Sequence, residues 1–282
     1  MSMAAAPLEP VARSFSSHPR NVPPLTPARL ARLEACEAEM ATKLERALDA
    51  NASRLALVAR VGSDLSKLRF ENDERPRYTH VGIALRESDG WRVHQVLNTA
   101  EGREGHLYRQ TLLDFFRDDP FEYRVSLLAP STELQERMAQ LLVSGTAARL
   151  HSPRYSRVAF PFSTRYQNSN QWVLEVVGAA QAQVSHRRVV QCYLAARGLR
   201  PSVLRTVGLV GQSIGALWSA NTRFDDHPVR DRMRGRLVFM LESSLREYVT
   251  RTDPSTKHLE LCIGVPIGAG CPEERVVGSC EE

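Results

Sequence analysis

Long apolar runs are missing from this sequence. No stretch approaches the roughly 18–20 consecutive apolar residues that a membrane-spanning helix needs, and residues 1–25 lack even the shorter apolar run, roughly 7–15 residues, of a secretory signal. The sequence therefore predicts no transmembrane segment and, as numbered, a cytoplasmic protein. A hydrophobic content of 43% and a mean hydropathy of −0.31 predict a globular chain with a sizeable core.

Lysine is also scarce, which bears on what the net charge of +5 means. Only three of the 37 basic residues are lysines, namely Lys43, Lys67 and Lys257. The arginines are scattered beside acidic residues along the whole chain, and they form no basic stripe with interleaved aromatics. We therefore expect no nucleic-acid partner. An interaction protein that uses its arginine-rich surface is a further alternative.

Cysteines are few, and their count of five is odd. An odd count in a chain of 282 residues argues against a disulfide scaffold. Cys36 and Cys192 fall on the apolar faces of predicted helices, where a small buried residue is expected. Cys262, Cys271 and Cys280 recur every nine residues without the close pairs typical of zinc sites, so no metal site is predicted. No cofactor is predicted either.

Composition divides the chain into three parts. Residues 1–25 are rich in Pro, Ala and Ser and have no periodicity, which predicts a disordered N-terminal segment. Residues 26–252 are predicted to form a single α+β domain, because strands occur in runs between helices without regular alternation. Residues 253–282 are predicted to be a flexible C-terminal tail.

Hydrophobic periodicity places the main elements. A helix is predicted from Thr26 to Asn51, and residues 54–61 fit either a strand or a continuation of that helix. Strand-like residues 78–85 and 91–97 flank a Ser-Asp-Gly turn and predict a β-hairpin. The elements predicted after the hairpin are a short helix over residues 107–116, a strand over 121–128, a helix from 131 or 132 to 145, a helix from Asn168, a helix over 185–198, a helix over 208–220, a strand over 235–241 and a closing helix from 243.

Three residues could together carry nucleophilic chemistry. His80 and His94 lie on the two strands of the predicted hairpin, and Ser169 lies at the start of a later helix. A serine nucleophile needs a base within hydrogen-bond reach, and the base needs a third group that holds its tautomer. A helix N-terminus adds backbone N–H groups that can stabilise an oxyanion. Lone histidines are nevertheless often structural, and a serine at a helix start is often only an N-cap.

The local sequences around these residues resemble a known superfamily. Tyr78-Thr79-His80-Val81-Gly82-Ile83, followed by residues 165–172 (Arg-Tyr-Gln-Asn-Ser-Asn-Gln-Trp), resembles the circularly permuted papain-like proteins of the NlpC superfamily. The resemblance implies a permuted papain-like (NlpC-type) α+β fold with an antiparallel sheet packed against helices. It implies His80 as base, His94 as the residue that orients it, and Ser169 in the place of the nucleophilic cysteine.

Residues from about 50 to 250 also resemble a bacterial family, domain-of-unknown-function family 2145. The resemblance rests on six strings: R-V-G-x-D-L-S (60–66), H-V-G (80–82), L-Y-R-Q (107–110), D-D-P-F (118–121), S-T-R-Y-Q-N-S-N-Q-W (163–172) and F-D-D-H-P (224–228). Members of that family look like exported proteins, which implies a periplasmic or exported location if the start of this chain is misassigned.

Other polar residues allow two interpretations each. Arg165, Tyr166, Asn168 and Gln171 flank Ser169, so they could bind substrate or complete an oxyanion hole, or they could satisfy buried loop backbone. Asp225, Asp226 and His227 could ligate a metal ion, but adjacent residues on one loop rarely chelate a single ion, and capping or turn hydrogen bonds are favoured.

Two functional hypotheses follow, and they differ in whether Ser169 reacts. The first is an amide or ester hydrolase, or an acyltransferase, which forms an acyl-enzyme on Ser169 from a small peptide or acyl ligand, with cell-wall peptides as one class. The alternative is a catalytically inactive papain-like binding module. It is favoured by the weak acidity of a serine hydroxyl compared with a thiol, whose pKa is about 8.5.

Overall fold

The computed structural model describes residues 26–71, 76–99, 104–117, 121–206 and 221–263. The elements within these ranges are, in chain order, α1 (Pro27–Asn51), β1 (Leu55–Val61), β2 (His80–Glu87), β3 (Gly90–Asn98), β4 (Gly105–Gln110), α2 (Leu112–Arg117), β5 (Glu122–Ala129), α3 (Thr132–Val143), α4 (Thr146–Arg149), α5 (Ser169–Ala182), α6 (Arg187–Ala196), β6 (Ser202–Arg205), α7 (Val229–Met233), β7 (Arg236–Phe239), α8 (Glu242–Thr252) and β8 (Lys257–Cys262). The predicted N-terminal segment and the helix predicted over 208–220 lie outside the described residues.

An antiparallel sheet organises the described part of the chain. Six strands there pair in the order β4-β3-β2-β1-β5-β8, and β6 pairs with β7 in a separate two-stranded sheet. Helices cover both faces of the larger sheet. The predicted α+β class, with an antiparallel sheet packed against helices, is therefore confirmed.

Alternation along the strands gives the sheet two buried faces. Leu55, Leu57 and Ala59 of β1 join one apolar cluster with α3, α5, α6 and α8. Ala56 and Val58, which point the opposite way, join a second cluster with α1 and α2. Because both faces are covered, β1 is buried at every position, which also explains why its apolar run carries no clear period.

The hairpin of β2 and β3 confirms the prediction from the sequence. Gly90 begins β3 with a φ of 107°, which favours glycine at this turn. The ambiguous segment before it is the strand β1. It does not continue α1, which ends at Asn51.

The helix predicted over residues 107–116 is wrong in its first part. Gly105–Gln110 form β4, paired with β3, and the helix α2 begins only at Leu112. β4 is the outermost strand beside β3, and most of its side chains are half-buried. Its apolar residues therefore show no strict alternation from which a strand could be predicted.

The boundary of the predicted tail is also wrong. Lys257–Cys262 form β8, which pairs with β5 along its whole length. Leu261 is 2% exposed and belongs to the apolar cluster beneath α1, and Lys43 of α1 donates a hydrogen bond to the Cys262 carbonyl at 3.1 Å. Residues 264–282 lie outside the described residues.

We expect Leu261→Ala to destabilise the protein by about 2–3 kcal/mol, because it removes a buried side chain from a packed cluster. Urea denaturation followed by circular dichroism measures the change in the free energy of unfolding. Lys257→Ala, at an exposed position of the same strand, is the matched control and should change stability by less than about 0.5 kcal/mol. Equal effects of the two variants would contradict the packing of β8 described above.

The cysteines differ from the prediction at two positions. Cys36 is buried as expected but is disulfide-bonded, and Cys192 is an exposed free thiol, since its position on α6 points away from the helix face that Val190 and Leu194 bury. Cys262 is a free thiol buried in β8. No helix in the described ranges is both long and apolar enough to cross a membrane.

Candidate functional site

His80 is held by a glutamine on the neighbouring strand. Its Nε2 atom lies 2.6 Å from Oε1 of Gln95, and Gln95 is completely buried in β3. The His80 ring also lies 6.2 Å from the ring of Phe115, which places it on the α2 side of the sheet. The side chain of β3 that contacts His80 is therefore Gln95, a contact that no local sequence pattern predicts.

His94 does not orient His80, and this corrects the prediction. His94 and Gln95 are consecutive residues of β3, so their side chains point to opposite faces of the sheet. His94 Nε2 lies 2.9 Å from Glu87 Oε1, and Arg109 binds the same carboxylate through Nε and Nη2. Partial burial opposes ionisation of Glu87, but hydrogen bonds and charges from His94 and Arg109 outweigh it and lower its pKa to about 2.

Gly82 leaves room for the Val93 side chain on the neighbouring strand. A Cβ atom at Gly82 would lie 2.6 Å from Cγ1 of Val93 and 3.5 Å from Cβ of Gln95. Gly82 is two residues beyond His80 and therefore points to the same face. The glycine of the H-V-G string thus permits close packing of β2 against β3 beside the histidine.

Ser169 is the first residue of α5, as the sequence predicts. Asn168 is the N-cap, and its Oδ1 accepts a hydrogen bond from Gln171 N at 2.7 Å. The Ser169 side chain sits at the positive end of a 14-residue helix. Ser169 is 4% exposed, and its Oγ donates to Asn170 Oδ1 at 3.5 Å.

Asn170 connects the start of α5 to the strand that carries His80. Its Oδ1 accepts from Val81 N at 2.9 Å, and its Nδ2 donates to Thr79 O at 3.0 Å. Thr79 and Val81 are the two neighbours of His80 in the chain. Regular pairing of β2 with β3 begins only at Ile83, so the Asn170 amide bonds to β2 where β3 does not.

These contacts connect Ser169 to the backbone beside His80, whereas the His80 ring lies on the face of the sheet that α2 covers, opposite to the face on which α5 packs. The hydrogen bonds from Ser169 Oγ and from Val81 N end on the same atom, Asn170 Oδ1. Ser169 Oγ therefore lies within two hydrogen-bond lengths of the backbone beside His80. No local sequence pattern predicts these contacts of Asn170, because its partners lie on a strand that is about 90 residues away in the chain.

The residues predicted to flank Ser169 are largely engaged by the loop before α5. Asn168 Nδ2 donates to Arg157 O at 3.0 Å, and Gln171 Nε2 donates to Pro161 O at 3.3 Å. Tyr166 is buried, and the guanidinium of Arg165 lies 5.5 Å from its ring. Arg165 also pairs with Asp225 at 2.6 Å. Asn168 and Gln171 thus satisfy loop backbone, whereas Arg165 contacts the Tyr166 ring and Asp225.

A buried carboxylate anchors the same loop to α6. Glu175 of α5 is fully buried, and Arg187 Nε lies 2.8 Å from its Oε2. The side chains of Gln167 and Gln191 donate to the same carboxylate at 2.6 and 2.8 Å. Burial raises the pKa of Glu175, whereas the charge of Arg187 and these hydrogen bonds oppose the rise. Arg187 also donates to Tyr166 O at 2.7 Å, so the ion pair fixes the approach to Ser169.

The Asp225, Asp226 and His227 cluster has a structural role. Asp226 Oδ2 accepts from Phe160 N at 2.9 Å, and His227 Nε2 lies 2.9 Å from Val238 O. The predicted turn and loop hydrogen bonds are therefore present. In the described ranges, no three His, Cys, Asp or Glu side chains are placed to share a metal ion.

The fold and the site together define a class: an α+β protein in which a helix N-terminus bearing a serine is bound to a histidine-bearing strand of an antiparallel sheet. Residues 47–249 match the family described as "Uncharacterized protein conserved in bacteria (DUF2145)", and the chain belongs to this family. Neither the curated proteins nor the solved structures contain a significant match.

Proposed function

We propose that this protein is a permuted papain-like (NlpC-type) hydrolase or acyltransferase that acts on an amide or ester through an acyl-enzyme on Ser169. His80 is the general base and Gln95 orients it. One observation supports the proposal: the Asn170 amide binds both residues that flank His80, which fixes the start of the nucleophile helix to the strand that carries the base. The chain order of His80, a polar residue on the next strand and Ser169 matches the permuted arrangement.

The reaction follows from these positions. Ser169 Oγ attacks the carbonyl carbon while its proton passes to His80, and backbone N–H groups at the start of α5 stabilise the oxyanion. The tetrahedral intermediate collapses, and His80 returns the proton to the departing amine or alcohol. Water, or an acceptor in a transferase, then attacks the acyl ester. A small peptide or acyl group, such as a cell-wall peptide, is the proposed substrate class.

A binding module is the second candidate, and the environment of Ser169 favours it. Ser169 is 4% exposed, and its hydroxyl donates to Asn170 Oδ1. A serine that is held in this way would mark a papain-like cleft that binds a peptide or acyl ligand without turning it over. The two candidates differ in whether His80 can activate the residue at position 169.

The test replaces Ser169 with cysteine and follows iodoacetamide alkylation of that cysteine against pH by peptide mass spectrometry. We expect an alkylation pKa at least one unit below the free-thiol value of about 8.5, because a neighbouring imidazolium stabilises the thiolate. Adding His80→Ala should return the pKa to about 8.5. Adding Gln95→Leu should give an intermediate value, because the imidazole loses the acceptor that orients it.

His94→Ala is the matched control, since His94 faces the opposite side of the sheet and pairs with Glu87. It should leave the alkylation profile unchanged, and the exposed thiol of Cys192 reports that the reagent is active. If the alkylation pKa of the new cysteine does not change when His80 is removed, or if alkylation occurs only after unfolding, the hydrolase or acyltransferase proposal is wrong and the binding module is favoured.

A further inference from the structure

The disulfide bond of Cys36 needs a partner, and the other cysteines narrow the choice. Cys192 and Cys262, which the structure describes, are free thiols. The chain has five cysteines, and the two that remain are Cys271 and Cys280, outside the described residues. Within one chain, Cys36 can therefore bond only to a cysteine of the C-terminal segment, residues 264–282.

The described chain ends close to the helix that carries Cys36. Lys43 of α1 donates a hydrogen bond to the Cys262 carbonyl at 3.1 Å, and Ile263 packs against the same apolar cluster as Cys36. Cys36 lies seven residues before Lys43, which is about 10 Å along the axis of α1. The eight residues from Ile263 to Cys271 can span up to about 26 Å. A cysteine of the C-terminal segment can therefore reach Cys36 without any movement of β8.

Cys36 faces the part of the molecule in which α1 packs on α2. It is 7% exposed and belongs to the apolar cluster that α1 and α2 share with one face of the sheet. The next residue, Glu37, is fully buried, and its Oε2 lies 3.5 Å from Nε of Arg117 in α2. Phe115 of α2 in turn contacts the ring of His80. A bond at Cys36 therefore constrains the layer of helices that covers the His80 side of the sheet.

We propose that Cys36 and either Cys271 or Cys280 form a redox-sensitive clamp that fastens the C-terminal segment to α1 and holds α1 against α2. The clamp closes by two successive thiol–disulfide exchanges with a disulfide oxidant, such as glutathione disulfide or a protein oxidase. The S–S bond of the oxidant breaks, the S–S bond of the clamp forms, and both thiol protons end on the reduced oxidant. The clamp is closed in an oxidising compartment and opens in a reducing one. It does not depend on acyl-enzyme chemistry at Ser169.

The first test maps the bond in the full chain. The purified protein is equilibrated with glutathione disulfide, alkylated with iodoacetamide in denaturant without reductant, and digested with trypsin for mass spectrometry. We expect alkylated Cys192 and Cys262, and a Cys36 peptide that is joined to a peptide of the C-terminal segment until dithiothreitol is added. Fragment spectra distinguish Cys271 from Cys262, because the two share a tryptic peptide. Alkylated Cys36 would overturn the inference, and so would a Cys36 bond to a second chain, which a non-reducing gel reveals as a covalent dimer.

The second test measures what the clamp does. Dithiothreitol should lower the Tm of the wild type by roughly 5–15 °C, because it releases a long covalent loop. Cys36→Ser should have the lower Tm at the outset and no further response to dithiothreitol. Cys192→Ser is the matched control and should behave like the wild type, since Cys192 is a free thiol. A wild-type Tm that does not respond to dithiothreitol would contradict a clamp that stabilises the fold.

A further variant separates the bond from the packing at Cys36. The double variant Cys271→Ser, Cys280→Ser keeps the buried Cys36 side chain and should show the same lowered Tm as Cys36→Ser, and it also serves if Cys36→Ser does not fold. In the wild type, reduction should accelerate hydrogen exchange of the α1 amides around Cys36 more than exchange of amides in β1. If the double variant instead keeps the Tm of the oxidised wild type, the C-terminal segment does not hold α1 and the inference fails.

Discussion

Replacing Arg187 with methionine is expected to lower the free energy of unfolding by about 3–5 kcal/mol. The substitution leaves Glu175 fully buried without its cation, and an uncompensated buried charge costs about this much. It also removes the hydrogen bond to Tyr166 O, which holds the loop that leads to Ser169. Urea denaturation at pH 7, followed by tryptophan fluorescence, measures the loss.

The loss should depend on pH in a defined direction. Burial already raises the pKa of Glu175, and removal of Arg187 removes the opposing charge. A carboxyl whose pKa is higher in the folded than in the unfolded protein contributes stability below its unfolded pKa, about 4.3, and this contribution is lost as the pH rises. The Arg187→Met protein should therefore lose more stability than the wild type between pH 5 and pH 8.

The matched control combines Arg187→Met with Glu175→Gln. This double variant has no buried charge, so it should recover part of the stability and lose the additional pH dependence. A double variant that is as unstable as Arg187→Met alone at pH 8 would show that lost packing around Arg187, rather than the uncompensated carboxylate, causes the destabilisation.

Asn170→Leu should have an effect of similar size. The leucine has a similar volume but leaves the buried Val81 N of β2 and the partly buried Thr79 O, just before this strand, without their partner. Each unpaired buried backbone group costs roughly 1–3 kcal/mol, so we expect a loss of about 3–5 kcal/mol. Urea denaturation measures the total, and hydrogen exchange of the Val81 amide reports the local effect.

Asn51→Ala is the control for Asn170→Leu. The Asn51 amide donates to Ala47 O within α1, and removing it should cost less than about 1 kcal/mol. In the Asn170→Leu protein, exchange of the Val81 amide should accelerate more than exchange of amides in the centre of β2, such as that of Ala84. Uniform acceleration along β2 would contradict a specific connection between α5 and the start of this strand.

Most of the elements around the site could be predicted from the chain, but their contacts could not. The alternating pattern and the Ser-Asp-Gly turn predicted the hairpin of β2 and β3, and Asn168 marked the start of α5. Which side chain on β3 contacts His80 depends on the register of the hairpin and on which face each helix covers. His94 and Gln95 are consecutive residues, and a shift of one position along a strand moves the side chain to the opposite face of the sheet.

The strands β4 and β8 could not be predicted from the sequence for a similar reason. β4 and β8 form the two edges of the six-stranded sheet described here, and edge strands carry weaker patterns because one side has no neighbour. β8 pairs with β5, which lies more than 100 residues earlier, so no local turn signal joins them. Gln110 likewise contacts Gln95 only because β4 lies beside β3.

By itself, the sequence determined the α+β class, the main hairpin, the first helix and the position of Ser169 at the start of α5. It did so because local periodicity, capping and turn residues act over a few neighbouring positions. Only the tertiary structure decided that Gln95 rather than His94 contacts His80, that Asn170 joins α5 to β2, and that β8 belongs to the sheet. These features depend on strand register and on contacts between distant segments, which local patterns do not encode.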